Sequence, residues 1–148
     1  MDATALYTQR VLDHQRAPRN FGRLDAPTHA ASGDNPLCGD SMRMQLRCSD
    51  GRIAALRFDG AACAVATATA SMLGEMAVGK SAAQIGELEA RFVELISGGV
   101  AHDPALGDLN AMAALARHPA RRKCALLAFA TLRAALAGAA SATTEGNA

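Results

Sequence analysis

Cys38, Asp40, Cys63 and Cys124 are the residues whose types could do chemistry together in this chain. Cys38 and Asp40 stand in Asn35-Pro36-Leu37-Cys38-Gly39-Asp40, Cys63 in Gly60-Ala61-Ala62-Cys63-Ala64, and Cys124 in Arg121-Arg122-Lys123-Cys124-Ala125. Three thiolates and a carboxylate make a complete tetrahedral set for a borderline-soft cation such as zinc, or for iron bound to sulfide. The spacing is not that of a zinc finger, because no closely spaced pair of cysteines occurs. Such a site closes only when distant segments meet in a folded domain, which favours chemistry over a purely structural role.

Each residue also has a plainer reading. Gly39 lets the backbone turn so that Cys38 and Asp40 point to one centre, and Asn35-Pro36 stiffens the approach. The same loop is equally a turn with an incidental thiol. Cys63, among alanines at a strand-to-helix junction, has the ordinary fate of a buried small hydrophobe open to it. Cys124 shares that alternative, although Arg121, Arg122 and Lys123 beside it favour a thiolate. Cys48 is the contrast: it falls in phase with Met42, Met44 and Leu46 and is assigned to the core. Of the four histidines, His14 lies on a helix stripe and His29 and His102 lie in loops. His118, ahead of Pro119, is off-face from Cys124 and suits a surface or capping role better than an acid/base one.

The elements that must position these residues can be read from period and punctuation. Ala3 to Gln15 reads as a helix with Ala3, Leu6, Tyr7, Val11 and His14 on one stripe, ended by Pro18-Arg19-Asn20-Phe21-Gly22. Residues 23–34 show no period and read as an extended loop. Met42 to Cys48 alternates as a half-buried strand, Asp50-Gly51 marks a hairpin turn, and Ile53 to Phe58 is the return strand. A short third strand or turn then delivers Cys63. Ala66 to about Val78 reads as a helix, and Ser81 to Gln84 is a capping box opening another, with Ile85, Leu88, Phe92 and Leu95 as its stripe. A loop to Leu106, a short helix near Asp108 to Arg117, and a last helix opened by Pro119 and running to about Ala137 complete the pass. Cys124 thus falls in the first turns of that helix, close to free N–H groups. Residues 138–148 are small and polar and read as a flexible tail behind a single domain spanning 1–137.

Composition narrows the function classes. One domain's worth of chain, 148 residues, is long enough to bury a core without staples. A net charge of +1 leaves no basic footprint for nucleic acid, and 3% aromatic residues leave no base-stacking platform. Ala61 to Leu73 is too short and too polar to span a bilayer. Met1-Asp2-Ala3-Thr4 has neither a basic nor an apolar region of the secretory kind, so a cytoplasmic protein with reduced cysteines is expected.

These residues resemble the U-type iron–sulfur cluster assembly proteins, the SufU/IscU family that includes the N-terminal domain of NifU. The resemblance runs from Tyr7, Asp13-His14 and Pro18 to Gly22 through to the last helix. Its most specific pieces are Asn35 to Asp40, Gly60 and Cys63 followed by Ala68-Thr69-Ala70-Ser71, and Pro119 to Ala125. It implies an α+β fold, with a small antiparallel sheet of about three strands, helices packed beside it, and a metal site at one end. It further implies that Cys38, Asp40, Cys63 and Cys124 bind zinc or a nascent [2Fe–2S] cluster or iron. Lys123 occupies the position of the histidine that precedes the last cysteine in IscU-like scaffolds. His118-Pro119-Ala120-Arg121 replaces their chaperone-recruiting segment, and Ser81 to Leu106 resembles the insertion of SufU.

The SufU-like branch implies a zinc-dependent sulfurtransferase that accepts persulfide sulfur from a SufS-type cysteine desulfurase and passes it to downstream assembly proteins or apo-proteins. Zinc holds thiols as thiolates, and a deprotonated accessible sulfur is what persulfide transfer needs. Cys38, on a flexible loop, is the expected acceptor and Cys124 the runner-up. Arg121 and Lys123 are placed to offset an anionic site or to meet the desulfurase. A scaffold that binds a [2Fe–2S] cluster and hands it on is the alternative, and a structural zinc module is a third reading that the unpaired cysteines disfavour.

Overall fold

Strands come before most of the helices in this chain, and the last helix returns across the sheet. The computed structural model describes residues 6–145. Helix α1 (Gln9–Arg16) leads into strands β1 (His29–Asn35), β2 (Asp40–Ser49) and β3 (Arg52–Asp59). Helices α2 (Ala64–Ala77) and α3 (Ala82–Ile96) follow, then a 3-10 stretch over Pro104–Arg117 kinked at Gly107, and a 3-10 turn over Pro119–Arg121. Helix α4 (Arg122–Leu136) and a short strand β4 (Ser141–Thr143) end the described fold. The sheet order is β3-β2-β1-β4, with β4 parallel to β1 and the other pairs antiparallel. This is an α+β architecture with four strands rather than about three.

The amphipathic elements form where the pattern predicts them. Met42, Met44 and Leu46 of β2 point into the core, and Asp50 and Gly51 both adopt positive φ (55° and 75°) in the turn to β3. That conformation matches the twist of a two-residue hairpin, which is why Asp-Gly is favoured there. The Ser81–Gln84 capping box is present, and Ile85, Leu88, Phe92 and Leu95 of α3 are buried. Phe92 meets Phe129 of α4 with ring centroids 5.2 Å apart, joining α3 to the helix that lies over β1 and β2.

Four expectations are corrected. First, α1 begins only at Gln9, because the Thr8 hydroxyl caps it by accepting from the Val11 N–H; Ala3 lies outside the described residues. Second, the expected loop over residues 23–34 contains β1. Its inward positions are Ala31, Gly33 and Asn35, too small or polar to register as an apolar period. They are small because α4 passes close: a Cβ built on Gly33 would collide with Thr131 Oγ1 and approach Leu127 Cδ1 to 3.2 Å. Third, Cys48 is only half-buried at the core margin. It keeps the inward phase of β2 between exposed Arg47 and Ser49, but there the pairing with β3 shifts and leaves Ala54 as an extra residue. Fourth, the expected tail supplies β4 at Ser141–Thr143, a strand whose backbone bonds to β1 need no apolar side chains. Residues 60–63, between β3 and α2, form no strand, and Cys63 caps α2.

Candidate metal centre

The turn between β1 and β2 presents the first two candidate ligands. The Cys38 N–H donates to the Asn35 carbonyl at 3.2 Å, and Asn35 and Asp40 face each other across the strand pair. This leaves Cys38 exposed at the tip while Asp40, at the base, is buried. Asp40 Oδ1 accepts the backbone N–H of Cys63 at 2.8 Å, fastening the start of α2 to β2. Cys63 is the N-cap of α2, its Sγ accepting from the Ala66 N–H at 3.5 Å. Cys124 is the third residue of α4 and is fully buried. Two thiols therefore sit at helix N-termini, where the free N–H groups and the helix dipole favour negative charge.

These pieces converge. Cys124 Sγ lies 3.3 Å from Cys38 Sγ, and the potential ligand atoms of Cys38, Asp40 and Cys124 all lie within 4.8 Å of one another. Cys63 adjoins this trio through its bond to Asp40, and its thiol bears on Cys124. Burial pushes the Cys124 thiol well above its ordinary range, with the Cys38 contact and the neighbouring Cys63 and Asp40 adding to the shift. Without a compensating charge this centre favours a neutral Cys124. A soft cation reverses that preference, because it binds the thiolate. The donor set and its burial thus suit zinc, with Cys38, Asp40, Cys63 and Cys124 available to hold it.

Of the flanking bases, Arg121 stands at the centre. Tyr7 and then the Cys124 and Cys63 sulfurs hold its guanidinium charged beyond its usual range. Lys123 instead pairs with Glu145 at 2.8 Å. His118 ends one 3-10 segment and begins the next, a capping position.

Two groups of interacting residues contain motif residues whose contacts the motifs do not reveal. Asn35 is fully buried, with Nδ2 3.4 Å from Asp40 Oδ2 and 3.6 Å from Cys124 Sγ, while its Oδ1 accepts from Thr144 Oγ1 at 2.9 Å. Its place directly before proline marks it only as a turn residue, and Thr144 carries no signal at all. The second group surrounds His14, which is buried, with Nδ1 2.7 Å from Ser71 Oγ and Nε2 3.0 Å from Asp108 Oδ2. Ser71 Oγ also accepts the Arg19 N–H at 2.8 Å. His14, Glu75 and Asp108 could gather a cation by distance alone, but Arg10 occupies the Asp108 carboxylate, and Arg19, held charged first by its bond to Asp13, is near enough for Glu75 and Asp108 to add to that effect. This network ties α1 to α2 and to the 3-10 stretch.

Comparison with known proteins places this centre in context. The family described as NifU-like N terminal domain matches residues 6–125, a span that contains all four candidate ligands. The chain belongs to the NifU-like N-terminal domain family. A relative named iron–sulfur cluster assembly scaffold protein IscU, from Streptococcus pyogenes serotype M1, is 33% identical over 140 residues, covering 93% of this chain and 86% of its own. The zinc-dependent sulfurtransferase SufU of Bacillus subtilis (strain 168) is 31% identical over 133 residues, covering 89% and 90%. The solved structure of a nitrogen-fixing NifU-like protein (N-terminal) from Brucella abortus superposes with a TM-score of 0.82 at 20% identity, covering 90% of this chain and 93% of that one, which shows the shared fold. Among the described residues of this NifU-like chain, no helix is long and apolar enough to cross a membrane.

Proposed function

We propose that this NifU-like protein is an iron–sulfur cluster assembly protein that accepts sulfur on Cys38 while Cys38, Asp40, Cys63 and Cys124 hold zinc. The observation that carries the reading is the contrast between an exposed loop thiol and a buried helical one 3.3 Å apart. Zinc, when bound, keeps the thiols deprotonated and shields them from oxidation. Cys38 is the sulfur that a large partner can reach, and it lies on a turn that can move without disturbing a helix. Cys124 is fixed by α4 and by burial, which suits a permanent ligand.

In the transfer, the Cys38 thiolate attacks the outer sulfur of a persulfide on a cysteine desulfurase. A new S–S bond forms on Cys38, the S–S bond on the desulfurase breaks, and the desulfurase cysteine leaves as a thiolate. No electrons are gained or lost overall. Arg121, exposed beside the thiols, is placed to receive the developing negative charge or an acidic surface of the partner. Asp40 is a harder ligand than a thiolate, and through its bond to the Cys63 N–H it keeps the α2 end of the site in place.

The second reading is a scaffold on which a [2Fe–2S] cluster is carried as cargo and passed to apo-proteins. It is favoured by the scaffold named among the relatives. The deciding experiment is alanine production by a SufS-type cysteine desulfurase with and without the zinc-loaded protein, before reductant is added. Stimulation that disappears in Cys38→Ala supports sulfur acceptance on Cys38. Absence of stimulation with zinc confirmed in place overturns it and leaves the scaffold.

A further inference from the structure

We propose that Thr144 is a positioning residue for the metal centre, acting through the buried Asn35 amide, and that β4 is the strap that delivers it. The proposal rests on the reading that the cysteine–aspartate set holds zinc.

A primary amide has one donor end and one acceptor end, and inside a protein both need partners. The donor end of Asn35 faces two groups that are acceptors when ionised, Asp40 Oδ2 at 3.4 Å and Cys124 Sγ at 3.6 Å. Committing the NH2 group to that side leaves Oδ1 pointing away from the ligands in a place closed to solvent, since Asn35 is fully buried. Thr144 Oγ1, at 2.9 Å, is the hydroxyl that donates to it. With that bond made, the amide is satisfied only in the orientation that offers hydrogens to the carboxylate and the thiolate. Without it, Oδ1 is left unsatisfied and the amide is driven to swing, bringing acceptor against acceptor beside the ligands.

The strap itself is fastened to both walls of the site. Ser141–Thr143 run parallel to Ser32–Asp34 of β1, and the Thr144 N–H donates to the Asp34 carbonyl at 3.1 Å, one residue before Asn35. Glu145 then pairs with Lys123 at 2.8 Å, one residue before Cys124. The strand that carries Asn35 and the helix that carries Cys124 are thus joined by five consecutive residues. The family match ends at residue 125, so this strap lies beyond the matched domain.

The test compares the full chain with Thr144→Val, which keeps the shape but removes the donor, and Thr144→Ser, which keeps the donor. Zinc affinity is measured by chelator competition, the cobalt(II)-substituted absorption spectrum reports thiolate geometry, and thermal midpoints of the metal-free proteins control for folding. The expected result is about tenfold weaker zinc binding in Thr144→Val, as for loss of an outer-sphere partner, with altered cobalt bands. Thr144→Ser should restore both, while the metal-free midpoints stay together. A Thr144→Val protein with the wild-type affinity and spectrum overturns the proposal. So does a Thr144→Ser protein as impaired as the valine variant, since that would assign the effect to packing of the methyl group. Failure of the wild-type chain to bind zinc overturns the underlying reading instead.

Discussion

Replacing Gly33 by alanine tests the close approach on which the site depends, since β1 carries Asn35 and α4 carries Cys124. The added Cβ would lie well under 3.0 Å from Thr131 Oγ1 and 3.2 Å from both Leu127 Cδ1 and Thr131 Cβ. Thr131 is fully buried, and its hydroxyl donates to the Leu127 carbonyl at 2.8 Å. Two escapes exist. Strand and helix can move apart, which as overpacking costs about 1–3 kcal/mol. Alternatively Thr131 can rotate and lose its bond, leaving a buried hydroxyl unsatisfied at a cost of about 1–3 kcal/mol. Either route predicts a loss near 2 kcal/mol, read as a fall of about 6–8 °C in the thermal midpoint for a chain of this length. Removing the obstructing atom should reverse it. Gly33→Ala combined with Thr131→Ala should be more stable than the sum of the single variants allows, by about 1 kcal/mol or more in a double-mutant cycle. Calorimetry or denaturant melts of the four proteins measure this. Additive effects in the cycle, or an unimpaired Gly33→Ala protein, would refute the packing argument.

Acid should loosen the clasp between α1 and the 3-10 stretch. Burial raises the Asp108 carboxyl, but its bonds to His14 and Arg10 outweigh this and hold it below the ordinary carboxylate range. A depressed folded value means the contribution is present above the unfolded pKa and is lost as pH falls from about 4 through the folded value. Asp108→Asn should therefore flatten stability against pH below about 4, and an unchanged acid limb in urea melts would contradict the assignment. Cys48→Ala should leave zinc content and desulfurase stimulation at wild-type levels while costing about 1 kcal/mol of stability. Lost zinc in that variant would bring Cys48 into the site.

How much was legible beforehand depends on what each residue's signal consists of. β2, the Asp-Gly turn, β3 and the capped α3 announce themselves because alternation, turn type and caps are local properties of neighbouring residues. β1 does not, because its inward residues were selected to let a helix pass and not for hydrophobicity. Cys38, Asp40, Cys63 and Cys124 could be nominated by type and motif, since few side chains make a soft, anionic donor set. Their division of labour could not be.

The sequence by itself determined the hairpin, the capped start of α3, the placing of Cys124 in the first turns of the last helix, and the chemistry available to three thiols and a carboxylate, while the α+β class came from the resemblance of its motifs. Only the tertiary structure decided that Cys38 is exposed while Cys124 is buried 3.3 Å away, and that Asn35 stands between Asp40 and Cys124. It alone decided that His14 is locked to Ser71 and Asp108, and that the C-terminal segment returns to β1 as a strand. The reason is physical. Period, caps and turns act over a few residues, whereas burial and a hydrogen bond between residues 35 and 144 exist only after the chain has closed the 109 positions between them.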